Sequence, residues 1–323
     1  MRIVSLLPAA TEWVCAFGAA EDLVGRSHEC DYPPDIQDVP VVTRATYSSE
    51  GDSAAIDTAV QEKLQNGLSL YAVDLDRLRE LEPDVILTQD QCDVCAVSMP
   101  ELEEALRDGF GSKPEVFSMQ PSTFKQVLDA ALRLGRLLDR TDAAMSTVAA
   151  LERRLQQLRD RLGVDKRDDP ADRTTIACIE WMEPLMTAGH WMPDVAGHAG
   201  ARAVLSASGS PSQPVAWSAL RQTDPDVLAV MPCGFTLDET RRDLSYLTRR
   251  DGWNDLTAVR DGRVALLDGN AYFNRPGPRL YRSTELLASV VAPRRADLDP
   301  PARDWERQWW KPAASTPQDA TTA

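Results

Sequence analysis

Two cysteines separated by two residues are the sharpest chemical signal in this sequence. Cys92-Asp-Val-Cys95 has the spacing at which two thiolates can reach one soft metal ion. His28 and Cys30 follow an earlier predicted strand and could complete a set of three cysteines and one histidine. The pattern predicts a candidate Zn or Fe site made of His28, Cys30, Cys92 and Cys95. A single CxxC pair is equally compatible with redox activity, or with two cysteines that have no chemical role.

Acidic residues near these groups leave a metal- or thiol-dependent enzyme as the alternative function. Glu29, Glu180 and Glu183 stand near a cysteine or a histidine and could act as acids or bases. Paired carboxylates are, however, common in binding clefts that carry out no reaction. The sequence contains no GxSxG, P-loop or GxGxxG motif. We therefore expect a binding protein rather than an enzyme.

Composition narrows the partners and the compartment. The chain has 323 residues, is 43% hydrophobic and carries a net charge of −15, so we expect no nucleic acid partner. No apolar run approaches the roughly 20 residues of a membrane helix. The apolar start is interrupted by Pro8 and Glu12, which favours a buried strand and a helix over a signal peptide. We therefore expect a cytoplasmic protein with reduced cysteines.

The elements that position these residues are organised around residues 122–162. Ser122 is a predicted N-cap, and apolar residues then recur at helical spacing as far as Leu138. A second helix is predicted from Thr141 to Leu162, with Gly163 as its stop. These 22 residues predict a rod of roughly 33 Å.

The segments on either side of the rod resemble each other. VDLDRLRELEPDVIL begins at Val73, and VAWSALRQTDPDVLA begins at Val215. In each copy a short helix stops at a proline and leads into an apolar strand. We therefore predict an α/β fold with two Rossmann-like α/β lobes joined by one rigid helix. The predicted boundaries are 1–121 for the first lobe, 122–163 for the helical backbone, 164–295 for the second lobe and 296–323 for a tail with a disordered end.

Several motifs together resemble one known family. They are RIVSLLPAATE, LVGRSHECDYP, the two Pro-Asp-Val units, GHWMPDVAGHAG and GNAYFNRPGPRL. The chain resembles the cobalamin and iron-siderophore substrate-binding proteins of ABC importers, and the cobalamin branch most. This resemblance, over residues 1–295, implies a class III substrate-binding protein fold. It also implies a corrinoid (cobalamin-like) or related metal-chelate ligand, held between the lobes.

The resemblance also bears on a permease partner. Family members dock through one acidic residue in each lobe, seven residues before the proline of each Pro-Asp-Val unit. Asp76 occupies the first position, but Ser218 occupies the second and cannot pair with a permease arginine. The sequence therefore predicts ligand binding but leaves docking on a permease in doubt.

The predicted ligand-binding residues follow from the topology. In open α/β sheets, ligands meet the carboxyl ends of the strands. Many residues predicted there are aromatic or polar, as a large, flat, partly apolar ligand would require. The predicted set is Pro8, Ala9, Thr11, His28, Glu29, Tyr32, Gln89, Trp181, Glu183, His190, Trp191, Tyr272, Phe273 and Arg275. His28 or a thiolate could also approach the metal of the bound ligand itself.

Overall fold

The computed structural model describes residues 1–48, 51–66, 69–89, 113–164 and 173–292, together with the backbone of residues 308–309. Its N-terminal half, residues 1–121, contains a four-stranded parallel sheet of order β2-β1-β5-β6 and a separate antiparallel pair, β3-β4. The elements are β1 Ile3–Ser5, α1 Pro8–Ala16, β2 Leu23–Arg26, β3 Thr43–Ala45, α2 Ser53–Gln65, β4 Tyr71–Val73, α3 Leu75–Glu80, β5 Val85–Thr88 and β6 Glu115–Ser118.

Strand β1 lies at the centre of this sheet. Its three residues are all buried, as expected for a parallel strand covered on both faces. The apolar start of the chain is therefore part of the folded core. Together with α1, it is the strand and helix that the sequence predicted there.

Two consecutive helices, α4 Phe124–Leu137 and α5 Thr141–Leu162, follow the first sheet. The N-cap of α4 is Thr123, which forms a capping box with Gln126, and not Ser122 as the sequence predicted. The bounds predicted for α5 are confirmed, and Gly163 ends it in the left-handed conformation, φ 63°. The two helices approach closely at Gly135, where an added Cβ would lie 2.2 Å from the Cβ of Ala144.

The C-terminal half, described over residues 173–292 and 308–309, contains a mixed sheet of order β10-β8-β7-β11-β12-β13, with β9 paired to β7. Strands β7, β11 and β12 are parallel. The elements are β7 Thr175–Trp181, β8 Met186–Thr187, α6 Met192–His198, β9 Arg202–Ala203, β10 Gln213–Pro214, α7 Trp217–Thr223, β11 Val227–Val230, α8 Leu237–Asp243, α9 Ser245–Thr248, α10 Thr257–Arg260, β12 Val264–Leu266, α11 Gly269–Tyr272, α12 Leu280–Val291 and β13 Gln308–Trp309.

The two Pro-Asp-Val units occupy equivalent places in the two sheets. Each leads from a short helix into a strand, β5 or β11, that pairs in parallel with the first strand of its half. The aspartates play the same part, since Asp84 accepts a hydrogen bond from the amide of Arg2 at 2.7 Å and Asp226 accepts one from the amide of Thr175 at 2.7 Å. The repeat is therefore structural, because each carboxylate fixes the start of the neighbouring strand.

One hydrophobic core runs through both halves. It joins the buried faces of α1, α4 and α5 to those of α6 and α12. A hydrogen bond 3.0 Å long links the Nε1 of Trp13 in α1 to the carbonyl of Pro276 just before α12. The halves are therefore packed against each other, as well as being linked by the chain.

Some sequence predictions differ from the structure or lie outside it. The strand predicted near Val39–Thr43 is shifted to β3, and only a single bridge joins Val41 to Arg26. The helix predicted over Pro100–Asp108 and almost all of the predicted linker Lys166–Arg173 lie outside the described residues. No helix of the described residues is long and apolar enough to cross a membrane.

Candidate ligand cleft between the two halves

Aromatic side chains from both halves meet where the carboxyl ends of the two sheets face each other, a region we call the cleft. In the N-terminal half, the ring of Tyr71 lies 5.6 Å from that of His28 and 6.3 Å from that of Tyr47. In the C-terminal half, Trp181 at the end of β7 lies 5.2 Å from Phe235, and both pack against the apolar cluster of the N-terminal half. This aromatic cluster fits a flat, partly apolar ligand.

The hydrogen bonds of His28 orient its ring. The Nδ1 of His28 lies 2.7 Å from the hydroxyl of Thr43, which also lies 3.0 Å from the hydroxyl of Ser27. If the Thr43 hydroxyl accepts from Nδ1–H, the lone pair of the ring stands on Nε2; if it donates to Nδ1, the proton stands on Nε2. Partial burial lowers the pKa of His28 and so favours the neutral ring, the form that can bind a metal.

Glu29, the next residue, accepts a hydrogen bond from the hydroxyl of Tyr71 at 3.0 Å. Burial raises the pKa of Glu29 above its ordinary value, although the tyrosine hydroxyl and the charge of Arg275 partly oppose this. A carboxyl group thus borders the aromatic cluster, and no arginine of the described residues forms an ion pair with it.

Cys30 points away from His28. It is 1% exposed, and its sulfur lies 3.1 Å from the Oγ1 of Thr11 and 3.9 Å from the carbonyl oxygen of Ser5. Burial raises the pKa of the Cys30 thiol to about 11, which disfavours the thiolate that a metal requires. The described residues contain no group of three or more metal-ligating side chains. Cys92 and Cys95 lie outside the described residues, so the predicted four-ligand metal site stays a prediction.

A second polar group lies at the end of β7. The hydroxyl of Ser212 donates to the Oε2 of Glu180 at 2.8 Å and accepts a hydrogen bond from the amide of Gly189 at 3.0 Å. Burial raises the pKa of Glu180 to about 7. His190 and Trp191 follow directly on the loop to α6, with their rings 5.8 Å apart. The structure thus places the predicted His190 and Trp191 beside a carboxyl group that titrates near neutral pH.

An ion-pair network connects the halves at another edge of the cleft. The side chain of Glu12 in α1 is 1% exposed. Its carboxylate lies 2.6 Å from the Nη2 of Arg279 and 3.5 Å from the Nη1 of Arg275. Arg275 also pairs with Asp31. The guanidinium of Arg279 lies 4.1 Å above the ring of Tyr32, a cation–π distance. Glu12, which interrupts the apolar start of the sequence, is therefore the buried anchor of a contact between the halves.

The structure corrects several predicted cleft residues. Phe273 is 1% exposed and belongs to the core, because the loop after α11 turns it inward. Arg275 forms ion pairs with Asp31 and Glu12. Ala9 and Thr11 are fully buried in α1, where Ala9 faces the segment at Gly277. Arg275 and Ala9 contribute to the contact between the halves, and Phe273 and Thr11 are buried, so none of the four presents a free wall to a ligand.

The remaining predicted residues lie at or near the strand ends. Pro8 begins α1 and is buried, and Gln89 follows β5 and is half-buried. Glu183 is paired with Arg250 at 2.6 Å. Tyr272 packs partly against the core, with Arg279 5.6 Å from its ring.

Sequence reasoning missed Tyr47, Tyr71 and Phe235. Of these, Phe235 had a usable signal, because it follows the apolar strand β11 within five residues.

The chain matches the family model described as periplasmic binding protein over residues 3–271. It belongs to this family. The predicted resemblance and the predicted binding function, rather than an enzymatic one, are thereby confirmed.

Relatives of known description agree with this assignment. An uncharacterised ABC transporter substrate-binding lipoprotein of Bacillus subtilis, YvrC, is 21% identical over 90% of this chain and 80% of its own. A periplasmic haem-binding protein of Pseudomonas aeruginosa is 20% identical, with a TM-score of 0.66 over 91% of this chain and 93% of its own. The vitamin B12-binding protein BtuF of Vibrio cholerae is 20% identical, with a TM-score of 0.61 over 90% and 96%. These likenesses confirm the predicted fold class.

The comparisons do not support the predicted cytoplasmic location. The family is named for the periplasm, and the Bacillus relative is described as a lipoprotein. Residues 3–5 and 8–16 form β1 and α1, which are largely buried. The location of this periplasmic binding protein family member stays a prediction.

Proposed function

We propose that this family member binds a large metal chelate, a corrinoid such as cobalamin or a related ligand, in the cleft between its halves. His28 carries the proposal, because its ring borders the aromatic cluster and, in the tautomer with the proton on Nδ1, its Nε2 can approach the metal at the centre of a chelate. The aromatic cluster supports it, since the half-buried ring of Trp181 at the end of β7 offers an apolar face to a flat macrocycle. Two structural relatives bind vitamin B12 and haem, which are metal chelates of this kind.

Visible spectroscopy tests this proposal directly. Hydroxocobalamin has an exchangeable axial position, so we expect its absorption bands to shift when His28 replaces the axial ligand. His28→Gln should abolish the shift, whereas His198→Gln should retain it, because His198 packs on Phe124 away from the cleft with ring centroids 4.9 Å apart. Trp181→Ala should weaken binding by more than about 1 kcal/mol, as for a buried aromatic anchor. No heat and no spectral change with any corrinoid, haem or ferric chelate would refute the proposal.

We also propose that docking on a permease is one-sided. The side chain of Asp76 on α3 is 91% exposed, beside the less exposed Arg79. Ser218 on α7 is exposed as well but carries no charge. We expect weak docking on an importer that is lost with Asp76→Asn and strengthened with Ser218→Glu. Docking that neither change affects would contradict this.

The predicted cytoplasmic location has its own test. Cell fractionation followed by determination of the N-terminus of the mature protein distinguishes the compartments. A mature protein that begins after residue 16 would contradict the place of β1 and α1 in the core. Recovery from the membrane or the cell exterior would overturn the cytoplasmic prediction while leaving ligand binding intact.

A further inference from the structure

The arginines that reach the cleft are paired with carboxylates of the protein itself. Arg250 lies 2.6 Å from Glu183, and Arg275 and Arg279 share the carboxylate of Glu12. A ligand that carries carboxylates normally requires such guanidinium groups, because an unpaired buried charge is costly. In this cleft a ligand carboxylate would have to compete with the partners already present.

A fourth arginine near the cleft, Arg26, is also committed. Its guanidinium is buried and donates to backbone carbonyls, among them those of Cys30 at 2.9 Å, Val39 at 3.1 Å and Gln37 at 3.1 Å. These bonds fix the loop after β2 on which His28 and Glu29 stand. Arg26 therefore builds the wall of the cleft and does not offer its donors to a ligand.

Carboxyl groups, by contrast, remain without a basic partner. Glu180 is held by the hydroxyl of Ser212 and Glu29 by the hydroxyl of Tyr71, and within the described ranges neither forms an ion pair. Asp268, after β12, likewise caps α11 and forms no ion pair with a described residue. Burial raises the pKa of all three groups. A second negative charge beside any of them would be repelled.

Two indole N–H groups supply the complementary feature. The Nε1 atoms of Trp181 and Trp191 are buried and have no hydrogen-bond partner in the described part of the chain. A buried donor left unpaired destabilises the folded protein. Ser212 accepts a hydrogen bond from the amide of Gly189 and donates one to Glu180. Trp191 lies two residues after Gly189 on the same loop, so one indole donor and one carboxyl group lie in neighbouring segments. Unpaired indole donors and carboxyl groups without an ion pair among the described residues thus lie at and after β7, whereas the arginines named above are already paired.

We infer that the cleft selects, among metal chelates, those whose periphery carries uncharged amide groups and rejects those that carry carboxylates. An amide can donate N–H to Glu180 or Glu29 and accept, at its oxygen, from Trp181 or Trp191. A carboxylate can only accept, and it brings a negative charge beside carboxyl groups. The inference rests on the proposed function and favours a corrinoid, whose rim carries amides, over a porphyrin with free propionates.

Matched ligand pairs test the inference with the full-length protein. The first pair is cyanocobalamin and the derivative in which one peripheral amide is hydrolysed to a carboxylic acid. The second is haemin and its dimethyl ester. At pH 8 we expect the uncharged member of each pair to bind about tenfold more tightly or better, measured by absorbance titration, which corresponds to about 1.4 kcal/mol.

Variants then assign the discrimination to the cleft. Glu180→Gln removes one carboxyl group and should reduce the ratio between the two members of each pair. Glu152→Gln removes the same charge from an exposed position on α5 and should leave the ratio unchanged. A thermal melt of each variant confirms that it is folded.

The outcomes separate this inference from the proposed function. Binding of the carboxylate member as tightly as the amide or ester member overturns charge selection while the proposed function stands. A preserved ratio in Glu180→Gln overturns the role of that residue. Failure of all four ligands, and of a ferric chelate added as a fifth, to bind refutes the proposed function itself.

Discussion

Replacing Glu180 by glutamine should stabilise the protein at alkaline pH. The carboxyl group lies at the end of β7, where Ser212 provides a single side-chain hydrogen bond at 2.8 Å and no described residue forms an ion pair with it. Burial therefore raises its pKa from an ordinary value of 4.5 to about 7. Glutamine keeps the shape and the acceptor for Ser212 but carries no charge at any pH.

The sign and size of the effect follow from linkage. A raised pKa means that the folded state holds the proton more tightly than the unfolded state between pH 4.5 and about 7. The free energy of unfolding contributed by Glu180 therefore falls as pH rises through this window and stays low above it. A shift of this size corresponds to at most about 3 kcal/mol. Because the side chain retains some exposure, we expect an effect of about 1–3 kcal/mol.

Urea unfolding followed by circular dichroism measures this effect. The free energy of unfolding of Glu180→Gln minus that of the wild type should increase between pH 5 and pH 8, with unchanged m-values. Taking the difference cancels the contributions of the other cleft acids, such as Glu29 and Asp268. Glu152→Gln, the exposed control on α5, should show no such trend. A difference that is flat with pH, or that grows toward acid pH, would refute the burial argument.

Three further predictions concern stability. Arg275→Met leaves the buried Glu12 with one partner fewer and should lower the free energy of unfolding by about 3 kcal/mol, as measured by urea unfolding. A loss below about 1 kcal/mol would mean that the network is dispensable. Gly135→Ala should lower the free energy of unfolding by more than about 1 kcal/mol, because the new Cβ would lie 2.2 Å from the Cβ of Ala144. The Tm of the variant should fall. An unchanged Tm would contradict the close approach of α4 and α5. Thr123→Ala removes the N-cap of α4 and should cost about 1 kcal/mol, whereas Thr123→Ser should restore most of it.

Local patterns made part of the fold predictable. Apolar residues at helical spacing and a following Gly163 gave the bounds of α5 as Thr141–Leu162. Short apolar runs likewise predict strands over Leu23–Arg26, Val85–Thr88 and Glu115–Ser118, which are β2, β5 and β6. The repeated Pro-Asp-Val units predicted two sheets, because the proline, the aspartate and the apolar strand act within one short segment.

The cleft was less predictable because its contacts join distant parts of the chain. From the sequence, Arg275 was predicted to bind the ligand. Its ion pairs with Glu12 and Asp31 join distant parts of the chain, so only the tertiary structure reveals them. Phe273 lies beside a glycine- and proline-rich loop, as cleft aromatics often do, yet the turn after α11 directs it into the core. Tyr71 lies on a short strand without a distinctive motif, so only the structure reveals its contact with Glu29.

The contact between the first and the last helices constrains how the chain folds during synthesis. Trp13 bonds to Pro276 across 263 residues, and Glu12 bonds to Arg279 across 267. On the ribosome, α1 emerges first and has no partner for these groups until Arg279 has been translated. The N-terminal sheet can form earlier, but its outer face stays exposed for most of the elongation time. Closing so long a loop is slow. A ribosome-stalled chain that ends before Pro276 should therefore bind chaperones and be cleaved by protease near α1, and release of the full chain should end both.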